Sequence, residues 1–382
     1  MHIGFITPEY PHIQFKGNIG GIGTFTNNLA EQLVKENYKV TVFIYSQHKE
    51  SVCMQNGVEI HFVKRKSLKG FTWITNRLYF NSYVNKTVKM NGIDVLEAPE
   101  WTGFSAFMKF KCPLIIRLHG SDTYFCNLEN RKVKQKNKFF EKIALLRADK
   151  IIGVSDFVSN KTKELFALEA KIHTIYNTIN LQDFVPYHQS IEDKTLLYFG
   201  TIIRKKGVLE IAKAFNKVVE RNKSVRLTLL GRDTKDVFSG TSTLELFKEI
   251  LSEQAKLNFI YIEAVPYREV KKHIYKSEII LLPSFAEAFP MTWLEAMALE
   301  KKMVTSDIGW AKELMIDGET GFMVNPKNIE EFASKILCLL ENEAASIKMA
   351  KSAREHLKNN FDSIKILTEN INLYKSCIEN EF

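Results

Sequence analysis

Two carboxylates, Glu287 and Glu295, stand eight residues apart around a short turn. Ahead of them, residues 279–282 form an apolar run of strand length, closed by Pro283 and Ser284. After the first carboxylate comes Pro290, a residue favoured at the first helical position, and then Met291, Leu294 and Ala298 recur at helical spacing. The stretch reads strand, loop, helix, with one carboxylate on the loop and the other a turn inside the helix. A helix N-terminus offers unpaired N–H groups and the positive end of its dipole, which suits a phosphate. Carboxylates on either side of that seat can accept hydrogen bonds from hydroxyls. The combination suggests a sugar nucleotide. Two surface carboxylates flanking a helix cap would read the same way, so the remaining chain decides.

Other chemistry-bearing residues also sit in loops that follow apolar runs. A strand at residues 3–7 leads through Pro8-Glu9-Tyr10-Pro11 to a glycine loop, residues 17–23, that opens a helix at Thr24. Another strand follows at residues 40–45, which makes a βαβ unit and predicts a parallel, doubly wound sheet. A dinucleotide-binding fold would share this pattern, but its fingerprint puts the glycines directly after the strand and an acidic residue at the end of the second. Here nine residues separate Thr7 from Gly17, and the second strand ends in Tyr45-Ser46. His119 follows a strand at residues 114–118, on the side where α/β folds place ligands. Lys206 follows a strand at residues 196–199, in the loop Gly200-Thr201-Ile202-Ile203-Arg204-Lys205-Lys206-Gly207.

These motifs occur in an order that resembles the retaining family-four glycosyltransferases, whose fold is called GT-B. The family pattern P-S-x-x-E-G-F-G-x-x-x-x-E-A-M-A is similar to P-S-F-A-E-A-F-P-M-T-W-L-E-A-M-A here, departing at Ala288 and Pro290, where glycines are usual. The resemblance implies that Glu287 lies by the donor sugar and Glu295 holds the nucleotide ribose. Residues 200–207 resemble the family loop G-R-L-x-x-x-K-G, whose Arg and Lys neutralise the donor diphosphate. Gly200, Lys206 and Gly207 match, and Thr201 stands in the arginine's place. Either Arg204 reaches round to replace that arginine, or Lys206 and helix amides suffice. His119-Gly120 is similar to the family's acceptor-pocket motif, and the glycine loop to the one that approaches donor phosphate and acceptor. The implied catalytic set is His119, Glu287 and Lys206. The implied donor site comprises Gly21, Gly23, Arg204, Lys206, Glu287, Phe289, Pro290, Met291 and Glu295.

The expected fold class is therefore α/β, with two Rossmann-like domains facing across a cleft. The expected domains are an acceptor-binding one at 1–185, a nucleotide-sugar-binding one at 186–365, and a terminal helix at 366–382 that crosses back to the first. A length of 382 residues accommodates two such cores, and 45% apolar with 25% charged residues fits a globular chain. The reaction implied is retaining transfer of a sugar to a saccharide or lipid-linked acceptor, as in surface polysaccharide biosynthesis. A sugar-nucleotide epimerase or phosphorylase of the same fold, or a catalytically weak scaffold, is the alternative. No Asp-x-Asp occurs in the sequence, so no metal and no cofactor are expected.

Five scattered cysteines fit reduced thiols, and the first residues lack the basic lead of a signal peptide, which predicts a cytoplasmic protein. Residues 1–185 carry 25 basic and 16 acidic side chains, whereas residues 186–382 carry 28 of each. Basic residues Lys64, Arg65, Lys66 and Lys69, and the run from Arg131 to Lys138, stand beside large aromatics. An anionic membrane surface is the expected partner for that half. Nucleic acid is not expected, since no recognisable nucleic-acid module is present.

Overall fold

The computed structural model of the chain describes residues 1–17, 19–66, 68, 72–187 and 191–379. Lys69 lies outside those residues. The chain divides into two units, Met1–Asn177 with Ser363–Phe382, and Thr178–Asp362.

The first unit is built on β1 (His2–Thr7), β2 (Lys39–Gln47), β3 (Ser51–Gln55), β4 (Val58–Lys64), β5 (Val95–Pro99), β6 (Leu114–Leu118), β7 (Lys150–Gly153) and β8 (Ile172–Thr174). Their order across the sheet is β3-β4-β2-β1-β5-β6-β7-β8, parallel apart from the β3–β4 pair. Every residue of β1 is buried, as a strand covered on both faces requires. The connecting helices are α1 (Gly21–Lys35), α2 (Thr72–Asn91), α3 (Asp122–Leu128), α4 (Gln135–Leu146) and α5 (Asp156–Phe166). Strand order reverses between β1 and β5, so the crevice beyond their carboxyl ends is the place where such a sheet binds ligands.

The second unit repeats the plan. It contains β9 (Glu192–Phe199), α6 (Val208–Arg221), β10 (Arg226–Leu230), α7 (Thr243–Ile250), α8 (Glu253–Leu257), β11 (Phe259–Ile262) and α9 (Tyr267–Lys276). It continues with β12 (Ser277–Leu282), α10 (Met291–Ala298), β13 (Lys302–Ser306), β14 (Phe322–Val324), α11 (Ile329–Glu341) and α12 (Glu343–Asn360). The strands run β11-β10-β9-β12-β13-β14, all parallel, and the order reverses between β9 and β12. The loops after those two strands carry Lys206 and Glu287. Topology therefore brings together residues 81 positions apart.

The first unit ends at Asn177, short of position 185. The reason is visible in the hydrogen bonds of the next residues. Thr178 donates to the carbonyl of Phe361 at 2.7 Å, and Tyr275 to that of Val185 at 2.9 Å, both within the second unit.

After α12 the chain returns to the first unit as α13 (Ser363–Glu379). There Tyr374 donates its hydroxyl proton to Glu97 at 2.7 Å, and Arg117 bonds both Glu97 (2.7 and 2.9 Å) and Asn370 (2.5 Å). All four side chains are buried. Removing one partner of such a pair leaves an uncompensated charge and costs ~3–5 kcal/mol. Among the described residues no helix is long and apolar enough to cross a membrane.

Candidate functional site

In the second unit, β9 ends at Phe199 and the chain turns through Gly200 into a short 3-10 turn, Arg204–Lys206. Gly207 then caps α6 with φ at +73°, and a Cβ there would stand 2.1 Å from the carbonyl oxygen of Pro283. Only glycine lets the loops after β9 and β12 approach this closely. The amide of Phe285 donates to the carbonyl of Lys205 at 2.8 Å, a second tie between them. Across this junction the Lys206 ammonium pairs with the Glu287 carboxylate, which is only 8% exposed.

The helix after Glu287 begins at Met291, one residue later than the sequence predicts, because Pro290 is its N-cap (φ −76°, ψ 120°) rather than its first helical residue. Ala288, Phe289 and Met291 are buried around that turn. Glu295 lies inside the helix and is 4% exposed. Its carboxylate accepts a hydrogen bond from the hydroxyl of Tyr267, at the start of α9, at 2.6 Å. Burial raises its pKa to about 7, with the Tyr267 hydrogen bond and Lys271 pulling the other way. A carboxyl group that changes charge near neutrality is an unusual hydrogen-bond acceptor, and it marks a candidate site.

Arg204, one of the two candidates for the diphosphate, pairs with a carboxylate within the second unit. Its guanidinium makes a forked pair with Asp236 (2.6 and 3.1 Å), whose carboxylate also accepts from the amide and hydroxyl of Ser239. The Arg204 hydrogen bond holds Asp236 well below the usual carboxylate range. Arg204 is thus already committed to a carboxylate, in a contact the sequence reading lacks. Replacing it with Ala should leave kcat within about tenfold and lower stability by ~1–2 kcal/mol, as for a partly exposed charged pair. A hundredfold loss of kcat would instead put Arg204 on the diphosphate.

In the first unit, α1 starts at Gly21, three residues earlier than the expected Thr24. Glu9 explains the shift, because its carboxylate accepts the amide of Gly23 at 2.8 Å and occupies the helix N-terminus. The amide assigned to a donor phosphate is therefore spent on Glu9, while Gly21 stands in the open.

His119 follows β6, half-buried, its ring edge-on to Phe25 at 4.9 Å. Burial and the nearby Arg117 lower its pKa to about 3, so it is a neutral imidazole at physiological pH. Its amide donates to Glu100 Oε2 at 2.9 Å. Sequence reasoning did not single out Glu100. It is 1% exposed, burial pushes its pKa up to about 8, and its Oε1 has no hydrogen-bond partner among the described residues. A neutral His beside a carboxyl group suits the binding of hydroxyls.

The basic and aromatic residues of 64–80 are not a free-standing amphipathic segment. Arg65 and Lys66 are exposed just after β4, and α2 buries Phe80 against Tyr45 and Phe104. It nevertheless leaves Leu78 63% and Trp73 39% exposed, and Phe107 and Phe139 are more than half exposed as well. Lys136 lies over the Trp73 ring, 5.1 Å from its centroid. Among the described residues no cluster of His, Cys, Asp or Glu could hold a metal ion.

Residues 19–183 match the family described as Glycosyltransferase Family 4, and residues 183–356 match Glycosyl transferases group 1. An uncharacterized glycosyltransferase of Methanocaldococcus jannaschii, MJ1178, is 26% identical over 349 residues, covering 89% of this chain and 90% of that protein. Among solved structures, sucrose-phosphate synthase from Thermosynechococcus elongatus superposes with a TM-score of 0.82 at 17% identity, covering 99% of each chain. Anabaena HepE in complex with UDP-glucose gives 0.75 at 18% identity, covering 98% of this chain and all of that one. Both likenesses speak to the fold.

Proposed function

The chain belongs to the family-four-type glycosyltransferases of GT-B fold, and from that premise we infer a transfer that retains anomeric configuration. The donor is a nucleotide-diphosphate sugar and the acceptor a saccharide or lipid-linked saccharide, of the kind used in surface polysaccharide assembly. The observation that carries this reading is the Lys206–Glu287 pair at the switch point between β9 and β12. As the glycosidic bond to the diphosphate lengthens, the sugar becomes oxocarbenium-like and the leaving group gathers negative charge. Lys206 and the first amides of α10 stabilise that charge, while Glu287 faces the sugar. The departing phosphate oxygen takes the proton of the acceptor hydroxyl, so no separate base is required. Neutral His119 holds the acceptor, and Glu295 holds the ribose.

A screen of nucleotide sugars by hydrolysis and thermal shift tests the donor, since bound ligand stabilises by ~2.7 kcal/mol at a hundred times its Kd. Proton NMR of the product then reads the anomeric configuration. A product of opposite configuration to the donor would end the retaining assignment.

No bound metal is proposed, because the sequence lacks Asp-x-Asp. Turnover should survive EDTA. Loss that magnesium or manganese restores would contradict this.

The first unit is proposed to dock on anionic membranes through Lys64, Arg65 and Lys66 with the exposed Trp73, Leu78 and Phe139. Each basic residue near such a surface contributes ~1 kcal/mol, screened by salt. Co-sedimentation should require anionic vesicles, fall as salt rises, and weaken when Lys64, Arg65 and Lys66 become Ser. Protein left in the supernatant at low salt would mean that this face is merely solvated.

A further inference from the structure

Two adjoining cavities of opposite character open on the first unit, and Trp73 and Arg77 line both. The larger holds about 430 Å³ and is walled by Ser46, Arg65, Asn76 and Thr102 as well as the shared pair. That volume lies within the ~300–1,000 Å³ of ordinary small-molecule sites. Ser46 lies near the end of β2, Arg65 follows β4, and Thr102 follows β5, so the cavity sits at the carboxyl ends of parallel strands, where α/β sheets take ligands.

Its charge is one-sided. No carboxylate lines it, and among the described residues neither Arg65 nor Arg77 has an ion-pair partner. Arg77 is fixed by donating to the carbonyls of Phe104 (3.1 Å) and Gly103 (3.2 Å), with its guanidinium over the rings of Phe140 and Phe104. The backbone is unusual here too. Ser46 and Thr102 both adopt left-handed conformations, with φ of +61° and +54°. For a β-branched residue that is a rare state, costing ~1–3 kcal/mol and found most often at binding sites. Buried Asn76 braces the wall, donating to the Ser46 hydroxyl at 3.1 Å and accepting the Lys66 amide at 3.2 Å.

The second cavity, about 250 Å³, is walled mainly by Ile74, Leu78, Ala106, Phe107 and Met108. A ligand filling both must present an anionic group to the guanidinium side and hydrocarbon to the other.

We propose that this paired cavity is the seat of the acceptor's anionic lipid linker, a phosphate or diphosphate joined to a hydrocarbon chain. The proposal rests on the transferase reading and narrows its acceptor to a lipid-linked saccharide. The arginines bind the phosphate oxygens, Trp73 packs on the first carbons of the chain, and Leu78 and Phe107 cover the rest.

The probe is farnesyl diphosphate, titrated into the full chain and compared with inorganic diphosphate, farnesol and vesicles of anionic phospholipid. Farnesyl diphosphate should bind at least tenfold tighter than either half alone. Arg65→Ala, at an exposed position whose side chain makes no hydrogen bond or ion pair among the described residues, should weaken it about tenfold, and Leu78→Ser should do the same without altering binding of inorganic diphosphate. Equal binding of inorganic diphosphate would reduce the site to an anion pocket and overturn the proposal. So would indifference to both substitutions in protein whose circular dichroism is unchanged. Vesicle binding that Arg65→Ala and Leu78→Ser weaken, with farnesyl diphosphate binding unchanged in both, would assign the cavities to bilayer docking instead. Donor hydrolysis is measured on the same preparation. If the donor is hydrolysed but farnesyl diphosphate is ignored, the acceptor assignment fails alone. If farnesyl diphosphate binds and no nucleotide sugar does, the transferase reading fails and the lipid site stands.

Discussion

Lys206→Ala is expected to lower kcat at saturating donor by ~10²-fold or more, the usual cost of losing one preorganised donor to developing charge. In the structure this ammonium already neutralises Glu287, a nearly buried carboxylate. Its removal therefore has two consequences: the leaving diphosphate loses a cation, and the nearly buried Glu287 loses the ammonium that neutralises it. The second consequence costs stability as well as activity. Glu287→Gln separates them, because it removes the carboxylate while keeping the lysine. That variant should lose turnover more than donor affinity. The double variant should be more stable than Lys206→Ala and no slower than additivity predicts, since the two side chains share one contact. Steady-state kinetics beside thermal melting reads all three. Near wild-type turnover in Lys206→Ala would remove this residue from the reaction.

The pieces that were legible in the sequence are those set by local pattern. The apolar run before Pro283 and the helical spacing after it fix β12 and α10, and strand–loop–helix repetition fixes the parallel sheets. Partners distant in sequence were not legible. Tyr267 reaches Glu295 across 28 positions, and Asp236 reaches Arg204 across 32. Neither pairing has a periodicity that could announce it. Glu9 shows how such a contact shifts even a local assignment. Fourteen residues upstream of Gly23, it supplies the anion that lets α1 begin at Gly21. Glu100 left a fainter trace, an acidic residue just past an apolar strand in Glu97-Ala98-Pro99-Glu100. What hid its role was burial, a property of the assembled sheet. The terminal helix is similar: Asn370 and Tyr374 look like ordinary helix residues until Arg117 and Glu97 are placed beneath them.

Glu295 should make donor binding depend on pH in a defined direction. Burial holds its pKa at about 7, above the usual carboxylate value, so the protonated form predominates in mild acid and the carboxylate above neutrality. The carboxylate accepts hydrogen bonds from ribose hydroxyls more strongly than the protonated group, one of whose oxygens must donate. The donor KM should therefore fall as pH rises from about 6 to 8, with its midpoint near 7. Ribose contacts are the same in ground state and transition state, so kcat should hardly follow. Glu295→Gln should raise KM by about ten- to a hundredfold above neutrality, the worth of a charged hydrogen bond at ~1.5–3 kcal/mol, and should flatten the profile. Tyr267 adds a finer check. Its hydrogen bond favours the ionised carboxylate, so Tyr267→Phe should move the midpoint to higher pH. The same hydroxyl occupies an oxygen that a ribose would use, so above the new midpoint Tyr267→Phe should bind donor at least as well as the parent. A KM that stays flat from pH 6 to 8 in the parent enzyme would take Glu295 out of the donor site, whatever the substitutions did.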